Sequence, residues 1–316
     1  MTTALSPGPD GPETTDVGPD GPETTDVGPV TTLAPGLVRI LAPNPSPMTE
    51  RGTNTYVLGT TSLCIIDPGP DQPNHLRALL AHIGARPVSH ILVTHRHLDH
   101  SGLARSLSLA TDAPVYGFGD PATDAPQAGP GWPQLAGGGE GIDAGFAPDR
   151  LLADGAMVQG RGWALRVIHT PGHLDDHICL RCGDAVFSGD HVMGWASSMV
   201  SPPQGNLTAY MASCYRLLAE APGVLYPGHG APVGDPAARI GWLLGHRRTR
   251  EAQILAMLDR GPASVEGLTA AIYADTPANL HAAAARNVLA HLLDLMGRSM
   301  VTTDQPVTPD ARFHRC

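Results

Sequence analysis

The sequence predicts an α+β protein with a second, small and mostly helical domain at its C-terminal end. Between about residue 36 and residue 225, short runs rich in β-branched residues are bounded by glycine or proline, which is typical of strands. Two amphipathic segments interrupt these runs, and after residue 234 helical spacing replaces them. With 316 residues, of which 42% are apolar and 16% are charged, the chain is long enough for both domains.

A tail of unusual composition precedes these elements. Residues 10–19 read DGPETTDVGP, and residues 20–29 repeat this sequence without change. Segments made of proline, glycine, threonine and acidic residues do not bury enough apolar surface to fold. We therefore expect residues 1–33 to form a disordered tail without a catalytic role.

The larger domain is expected to cover residues 34–234. Its predicted strands form two groups, separated by a segment rich in glycine, proline and alanine at residues 120–149 that predicts a long loop. Helical spacing predicts helices at Pro73–Ile83 and Leu207–Glu220. The predicted strands are Val38–Leu41, Thr55–Leu58, Ser62–Ile66 and Ile91–Val93 in the first group, and Trp163–Ile168, Ile178–Leu180, Ala185–Ser188 and Val224–Leu225 in the second.

The smaller domain is expected to cover residues 235–316. Ser264 is a favourable N-cap residue for its second helix, and Pro277 suits the first turn of its third helix. Three helices followed by a hairpin is the element order of a winged-helix module. The predicted elements are helices at Asp235–Asp259, Ser264–Tyr273 and Thr276–Gly297, and a hairpin of Met300–Thr302 with Arg312–His314.

Charge limits the partners of the protein. The formal net charge is −10, and all 20 basic residues are arginine. Residues 1–30 contain six acids and no base, so they contribute −6 and leave −4 for the rest of the chain. This balance argues against a broad nucleic-acid-binding face, but it is compatible with a narrow path lined by arginine.

Cysteines and hydropathy indicate the compartment. The five cysteines are scattered, and the CxxC of Cys179 and Cys182 is interpreted as part of a strand and turn, because no second pair accompanies it. No run of 18 apolar residues predicts a membrane span. The N-terminus lacks the basic and apolar regions of a secretory signal, so we expect a cytoplasmic protein that does not contact the membrane.

The segment at residues 94–100 reads THRHLDH and directly follows a predicted strand. Alternate side chains of an extended segment point the same way, so His95 and His97 can face one metal ion. Asp99 and His100 follow as the chain turns, and they can face a second ion. Neutral imidazoles and carboxylates are ligands of divalent cations. Four such residues in six positions therefore predict a metal site.

Three single residues follow at the ends of later predicted strands. His173 ends the sequence TPGH, Asp190 ends FSGD, and His229 ends YPGH. A glycine precedes each of them, which eases a sharp turn at the end of a strand. Any one of these residues alone would be interpreted as structural. In this order, after the HxHxDH motif, they are predicted to complete the same metal site.

The motifs THRHLDH, TPGH, FSGD and YPGHG together resemble those of the metallo-β-lactamase superfamily. The resemblance implies an αββα sandwich with a two-metal site at one edge, and it implies that Asp67 supports the metal-binding loop from behind the ligands. A mixed set of histidine and carboxylate ligands is compatible with zinc or with manganese. The implied ligands are His95, His97 and His173 for the first ion, Asp99, His100 and His229 for the second, and Asp190 as the bridge.

Further segments resemble the beta-lactamase-like protein 2 family over residues 37–303. Members of that family include metal-dependent endoribonucleases that act on single-stranded RNA, so the resemblance implies an RNA phosphodiesterase. It also suggests Asn54, His177 and Arg247 as substrate-binding residues near the cleft. The segments that carry the resemblance are Asn44–Tyr56, His173–His177, His246–Leu255 and Ile272–Leu292.

Several reactions are compatible with such a site. Two divalent ions are expected to activate a bridging hydroxide, with Asp99 orienting it or accepting its proton. This hydroxide can attack the phosphorus of single-stranded RNA, or the carbonyl carbon of a substrate in a glyoxalase II-like thioesterase or small-ester hydrolase. The ligand residues alone do not distinguish these reactions. A non-enzymatic role, in which the helical module binds DNA or a protein partner, would leave the ligand set unexplained.

Overall fold

A computed structural model describes residues 28–119, 141–304, 306–308 and 311–316. Most of the predicted tail, residues 1–27, and most of the predicted long loop, residues 120–140, lie outside the described residues. The described part of the chain contains two large sheets, helices on their outer faces, and a C-terminal module with a two-stranded sheet.

The first sheet contains seven strands among the described residues, and they lie side by side in chain order. The first four strands pair antiparallel, and the fourth to the seventh pair parallel. The strands are β1 (Val30–Ala34), β2 (Leu37–Leu41), β3 (Asn54–Leu58), β4 (Leu63–Ile66), β5 (Val88–Leu92), β6 (Val115–Phe118) and β7 (Arg150–Leu152).

The second sheet has five strands among the described residues: β8 (Met157–Gly160), β9 (Trp163–His169), β10 (Ile178–Cys182), β11 (Ala185–Gly189) and β12 (Val224–Pro227). They lie in the order β12-β11-β10-β9-β8. β11 and β12 pair parallel, and the other pairs are antiparallel. β9, β11 and β12 therefore run in one direction, and their carboxyl ends share one edge of the sheet.

Helices cover the outer faces of both sheets and build most of the C-terminal module. Three of them begin at side-chain N-caps: the side chains of Asn206, Asp235 and Ser264 accept hydrogen bonds from backbone N–H groups of the first turn. The helices are α1 (Pro73–Ile83), α2 (Leu98–Ser101), α3 (Ala104–Thr111), α4 (Leu207–Glu220), α5 (Pro236–Leu258), α6 (Val265–Ile272) and α7 (His281–Gly297). A 3₁₀ turn at Ala278–Leu280 precedes α7, and the hairpin strands are β13 (Val301–Thr303) and β14 (Phe313–Arg315).

Alternating side chains of the strands divide the core into layers. Tyr56 of β3 and Leu165 of β9 point into the core between the two sheets. Val57, next to Tyr56, packs instead in the core beneath α1 and α3. Ile168 of β9 packs beneath α4 and α5. The order of layers is α, β, β, α, which confirms the sandwich that the resemblance implied.

Helix α5 belongs to both domains. Ile240 and Leu243 in its first half pack in the core of the second sheet and α4, whereas Ile254 and Leu258 pack in the core of the C-terminal module. Its 23 residues correspond to a rod of about 35 Å, long enough to extend from one core to the other. A boundary at residue 235 marks the start of this shared helix rather than a separation between two cores.

The structure differs from the predictions at several elements. The tail was predicted to extend to residue 33, but β1 begins at Val30, where a run of β-branched residues pairs with β2. Strands β6, β7 and β8 and helix α3 were not predicted, because they are short and their apolar residues show little periodicity.

Cys179 packs beneath α4, whereas Cys182 packs in the core between the sheets, so they cannot bind one metal ion.

None of the helices in the described part of the chain is long and apolar enough to span a membrane.

Candidate metal centre

Four loops form the site, and each of them follows a strand. Residues 93–100 follow β5, residues 170–173 follow β9, Asp190 follows β11, and Gly228–His229 follow β12. The shared direction of β9, β11 and β12 brings the last three loops to one edge of the second sheet. Close to this edge, an isolated backbone pairing between Thr53 and His229 joins the two halves of the sandwich.

Four of the predicted ligands form a first cluster. His97 Nδ1 lies 2.9 Å from His95 Nε2 and 3.0 Å from His173 Nε2. Asp190 Oδ2 lies 3.9 Å from His95 Nε2 and 3.7 Å from His173 Nε2. One atom from each of the four residues therefore lies within 4.8 Å of the others, and this arrangement can hold one metal ion.

The other three predicted ligands form a second cluster beside the first. Asp99 Oδ2 lies 3.6 Å from His100 Nε2 and 3.2 Å from His229 Nε2. Asp190 contacts this cluster as well, with Oδ1 3.4 Å from His100 Nε2 and Oδ2 3.4 Å from His229 Nε2. The Asp190 carboxylate thus lies between the two clusters, in the position expected of a bridging ligand.

Hydrogen bonds on the far side of the imidazole rings determine which nitrogen atoms face the site. His173 Nδ1 donates to Met199 O at 2.6 Å, and His229 Nδ1 donates to Gly52 O at 3.2 Å. In the neutral form of each ring, the proton is therefore on Nδ1, and the lone pair of Nε2 points into the cluster. Converging lone pairs and carboxylates repel one another unless a cation lies between them, so this donor set fits two divalent cations.

Burial keeps the histidines of the first cluster neutral. Burial and the neighbouring His173 together lower the pKa of His97 to about 3. Burial also lowers the pKa of His95 and of His173. At pH 7 all three rings are uncharged, which is the state in which imidazole binds a metal ion.

In the second cluster the pKa values of the histidines are raised, whereas in the first cluster they are lowered. Burial disfavours a charged His229, but Asp190 and Asp99 outweigh it and raise the pKa of His229 to about 9. Burial opposes charge on His100 too, and the carboxylates of Asp99, Asp190 and Asp67 nevertheless raise its pKa. The histidines in turn hold the pKa of Asp99 and of Asp190 below the usual range, despite burial. The protons of His100 and His229 thus stabilise the two carboxylates in the way that a bound cation would.

Asp67 lies behind the ligands, as the resemblance implied. Its Oδ1 accepts a hydrogen bond from Thr94 N at 2.7 Å, and its Oδ2 accepts from Thr94 Oγ1 at 2.9 Å. The same Oδ2 lies 2.9 Å from His100 Nδ1 and accepts its proton in a hydrogen bond. His95 Nδ1 lies 3.0 Å from Thr94 Oγ1, so Asp67 orients two predicted ligands, one directly and one through Thr94.

Two of the glycines before the predicted ligands are required by space, and the first of them also by its backbone conformation. Gly189 has a φ of +46°, and a Cβ there would lie 2.6 Å from His177 Nε2. A Cβ at Gly228 would lie 2.4 Å from Asp190 Oδ1 and 2.6 Å from His100 Cε1. Glycine at these positions lets the loops of Asp190 and His229 approach each other closely.

Asn54 and His177, the first two predicted substrate-binding residues, contact the loops of the metal centre. Asn54 is buried, and its Nδ2 donates to the carbonyl oxygens of Pro227 and Gly230, at 2.9 Å each. His177 is also buried, and its Nε2 accepts a hydrogen bond from Asp190 N at 3.2 Å. Both residues therefore support the loops that carry predicted ligands, and their contact with substrate stays a prediction.

Arg247 is also buried, with only 2% of its surface exposed, and it is not on a solvated face of α5. Its guanidinium donates to Ser198 O and, at 2.8 Å, to Asn287 Oδ1. It lies at the junction of the two domains, and its contact with substrate stays a prediction.

Sequence reasoning missed several supporting groups. The carbonyl oxygens of Gly52 and Met199 orient two histidines, and no side-chain motif encodes a carbonyl group. No separate role was predicted for Arg96, which is part of the THRHLDH motif. Its Nη1 lies 2.8 Å from Asp175 Oδ1, and its backbone N donates to Asp176 Oδ2 at 3.1 Å. The sequence did contain a signal for this contact: Arg96, Asp175 and Asp176 all lie inside the motifs, and an arginine that is buried needs an acidic partner.

Sequence profiles of known families match both domains. The profile of the Metallo-beta-lactamase superfamily matches residues 48–229. The profile of the Beta-lactamase associated winged helix domain matches residues 264–305.

Individual relatives extend the match over most of the chain. The Beta-lactamase-like protein 2 homolog of Drosophila melanogaster is 36% identical, over 84% of this chain and 89% of that protein. The Atrochrysone carboxyl ACP thioesterase of Claviceps purpurea is 30% identical, over 78% of this chain and 75% of that protein. The crystal structure of a metallo-beta-lactamase family protein from Thermus thermophilus has a TM-score of 0.72 at 25% identity, and covers 90% of this chain and 100% of that one. The chain therefore belongs to the metallo-beta-lactamase superfamily, as a hydrolase of the beta-lactamase-like protein 2 family with a C-terminal winged helix domain.

Proposed function

We propose that this hydrolase cleaves phosphodiester bonds of single-stranded RNA at a centre of two divalent ions, held by His95, His97, His173, Asp99, His100, His229 and the bridging Asp190. The observation that carries the proposal is a line of two exposed tryptophans, which begins at Trp195 beside this centre and continues to Trp242 on α5, with the half-buried Arg239 packed on Trp242. Proteins that bind single strands combine such rings, on which bases stack, with positive charge for the phosphates.

Trp195 is the first ring of this line. It lies against the backbone of Gly230, the residue after His229, since a Cβ at Gly230 would come within 2.7 Å of Trp195 Cδ1. Its side chain is 37% exposed. An exposed indole so close to the centre is available to stack on a base next to the scissile phosphate.

Arg239 connects Trp195 to α5. Its Nε donates to Met193 O at 2.6 Å, and its Nη2 donates to Ala196 O at 2.7 Å, so it holds the chain on both sides of Trp195. Its Cζ lies 4.6 Å from the ring centroid of Trp242. The guanidinium thus packs on the ring of Trp242 and holds the backbone on both sides of Trp195.

Trp242 is the second ring, and 53% of it is exposed. His246 stacks on it, with ring centroids 5.1 Å apart and planes 14° apart. A large exposed indole lowers solubility unless it has a binding partner. His246 and Arg239 pack on this ring and hold it in a fixed orientation. A second base of a single strand would stack here.

The charge of α5 supports the same proposal. The helix contains four arginines and one glutamate, so that without the buried Arg247 it carries +2, whereas residues 31–316 as a whole carry −4. Positive charge is therefore concentrated on the helix that borders the centre. Such a local concentration attracts a polyanion although the chain is acidic.

The centre supplies the chemistry. Two bound divalent cations lower the pKa of a water molecule and stabilise the negative charge that develops on the phosphate oxygens. Asp99 is placed to accept the proton of that water, because its side chain is 28% exposed while that of Asp190 is 10% exposed. Thr53 Oγ1 donates to Asp99 Oδ2 at 3.4 Å and helps to orient it. His100 and His229 hold the pKa of Asp99 below its usual range, so that its carboxylate is ionised at neutral pH.

Zinc is the first candidate for the metal. Five histidines and two aspartates make a nitrogen-rich donor set, which zinc accepts readily, whereas magnesium and calcium prefer oxygen. Manganese is the second candidate, since it also accepts mixed sets of histidine and carboxylate.

A thioester hydrolase is the second candidate function, and relatives favour it. The Claviceps purpurea relative is named as an acyl carrier protein thioesterase, and so is a relative from Aspergillus fumigatus that is 31% identical over 72% of this chain. An acyl thioester would place its carbonyl carbon where RNA places phosphorus. Trp195 would then contact an acyl group instead of a base.

The test compares end-labelled single-stranded RNA with S-lactoylglutathione as substrates of the metal-loaded protein. Three variants accompany the wild type: Asp99→Ala, Trp242→Ala, and Leu109→Ala as a control. Leu109 is also an exposed apolar residue, 72% exposed, but it lies on α3 in the opposite outer layer. RNA should be cleaved by the wild type and by Leu109→Ala, and not by Asp99→Ala.

Trp242→Ala should bind RNA about tenfold more weakly, since one base loses its stacking partner. Thioester turnover with intact RNA would instead establish the second candidate. RNA cleavage that does not change in Trp242→Ala would show that the strand follows another path.

A further inference from the structure

Three consecutive backbone groups, at Ser198, Met199 and Val200, are held by three side chains from different parts of the fold. The middle one belongs to the metal centre: Met199 O accepts the Nδ1 proton of His173 at 2.6 Å. His173 Nε2 then lies 3.0 Å from His97 Nδ1, inside the first cluster. The position of the Met199 carbonyl therefore sets both the tautomer and the direction of His173.

The groups on either side of Met199 are held from the C-terminal part of the chain. Arg247 Nη2, on α5, donates to Ser198 O. Asn287 Oδ1, on α7 of the winged helix module, accepts from Val200 N at 3.2 Å. Arg247 Nη1 also donates to Asn287 Oδ1 at 2.8 Å, so the two side chains form one unit around the 198–200 backbone.

The unit is buried and its members depend on one another. Arg247 is 2% exposed, and in the described part of the chain it forms no ion pair with a carboxylate. Its charge is solvated instead by Ser198 O, by Asn287 Oδ1 and by the Tyr210 ring, whose centroid lies 5.3 Å from Cζ. A buried charge without partners is costly, so Arg247 requires these groups to remain in place.

Ser198 is also fixed from its other side, because its Oγ donates to His191 O at 2.8 Å. His191 directly follows Asp190, the predicted bridging ligand. The segment from Ser198 to Val200 thus connects the interface between the domains with both His173 and the Asp190 loop. Because each of these three residues is hydrogen-bonded to a different part of the fold, the segment has little freedom to move independently.

We propose that Arg247 and Asn287 are positioning residues of the metal centre: through the Met199 carbonyl they orient His173, so that the winged helix module completes the first metal site. The inference rests on the proposed role of His173 as a ligand, and it is independent of the substrate. It gives the module a function that needs neither DNA nor a protein partner.

The experiment measures how tightly the full-length protein binds zinc, by competition with a chromophoric chelator, and records the visible absorption of the cobalt-substituted protein. Asn287→Leu removes the oxygen that accepts these hydrogen bonds and keeps a side chain of similar size. Asn287→Asp keeps an acceptor oxygen beside Arg247. Thr208→Val is the control, because Thr208 Oγ1 donates to Asp294 Oδ1 across the same interface without contacting residues 198–200. Arg247→Lys is a second disrupting variant that keeps the charge but cannot reach both acceptors.

Asn287→Leu and Arg247→Lys should weaken binding of one of the two zinc ions about 10-fold or more and change the cobalt spectrum, as expected when a group that orients a ligand is lost. Asn287→Asp should bind like the wild type, and Thr208→Val should too. Wild-type affinity and spectrum in both Asn287→Leu and Arg247→Lys would overturn the proposal, and so would an equal loss in Thr208→Val. A wild type that binds no zinc, or a His173→Ala variant that binds it equally well, would instead overturn the assignment of the ligands.

Discussion

Asp67 Oδ2 lies 2.9 Å from His100 Nδ1, and both groups are buried. The carboxylate fixes the proton of His100 on Nδ1 and leaves Nε2 facing Asp99 and Asp190. One acid thereby decides which nitrogen of His100 is available to a cation, and through Thr94 it also orients His95.

Replacing this acid with its amide tests the relationship. Asp67→Asn should lower zinc affinity about 10- to 100-fold, because the amide cannot accept from Thr94 and His100 together without presenting an N–H to one of them. Chelator competition measures the affinity. Asp112→Asn is a matched control: Asp67 and Asp112 both have positive φ, 52° and 54°, and asparagine tolerates this conformation. Wild-type affinity in Asp67→Asn would mean that the carboxylate does not orient His100.

Metal binding should release protons. The pKa of His229 lies at about 9 in the metal-free protein, so at pH 7.5 the ring carries a proton that a cation must displace. Calorimetric titration with zinc at pH 7.5, in buffers of different ionisation enthalpy, should show release of about one proton or more per protein. Affinity should also fall as the pH is lowered. Heats that do not depend on the buffer would contradict the electrostatics of the second cluster.

His75 makes stability depend on pH away from the metal centre. Burial lowers its pKa from 6.5 to about 4, and its Nε2 lies 2.8 Å from Thr55 Oγ1. As pH falls, the unfolded chain takes up this proton first, so the stabilisation is complete above pH 6.5 and is lost progressively towards pH 4. The loss is up to about 3 kcal/mol.

Urea unfolding of the wild type and of His75→Gln, at pH 7 and at pH 4, measures this contribution. The wild type should lose more stability between the two pH values than the variant, which cannot titrate at this position. Equal losses would show that the pKa of His75 is the same in the folded and in the unfolded chain.

The N-terminal boundary of the fold can be tested by deletion. Removing residues 1–27 should leave stability and hydrolysis unchanged, because the repeated segment contains few apolar residues. Removing residues 1–34 takes away β1, whose Leu33 and Ala34 pack against the core between the sheets. That deletion should cost about 1–3 kcal/mol in urea unfolding. Destabilisation by the shorter deletion would assign the repeat a structural role.

The seven residues that converge in the two clusters could be predicted because each of them is marked locally. His95 and His97 are two residues apart on extended backbone, and the single ligands each follow a strand and a glycine. These signals depend on backbone geometry over a few residues, and they do not require knowledge of the tertiary contacts. The structure brought all seven residues together without exception.

The roles of the supporting residues could not be predicted in the same way. Arg247 and Ser198 are 49 residues apart in the chain, and nothing in either segment indicates that they meet. An arginine among other arginines on an amphipathic helix is usually exposed, so its burial is a property of the interface between the domains. β1 was missed for a related reason: it directly follows the repeat, and its pairing with β2 decides its structure.

The central claim is that the seven residues form a hydrolytic centre of two divalent ions, and His97 tests it most directly because its Nδ1 lies within 3.0 Å of two other ligands. The measurement is the metal content of the purified wild type and of His97→Ala by mass spectrometry, together with hydrolysis by the same samples. The wild type should contain about two ions, and the variant should contain fewer and lose more than about 100-fold of the activity. Equal metal content and equal activity in His97→Ala would contradict the assignment of the centre.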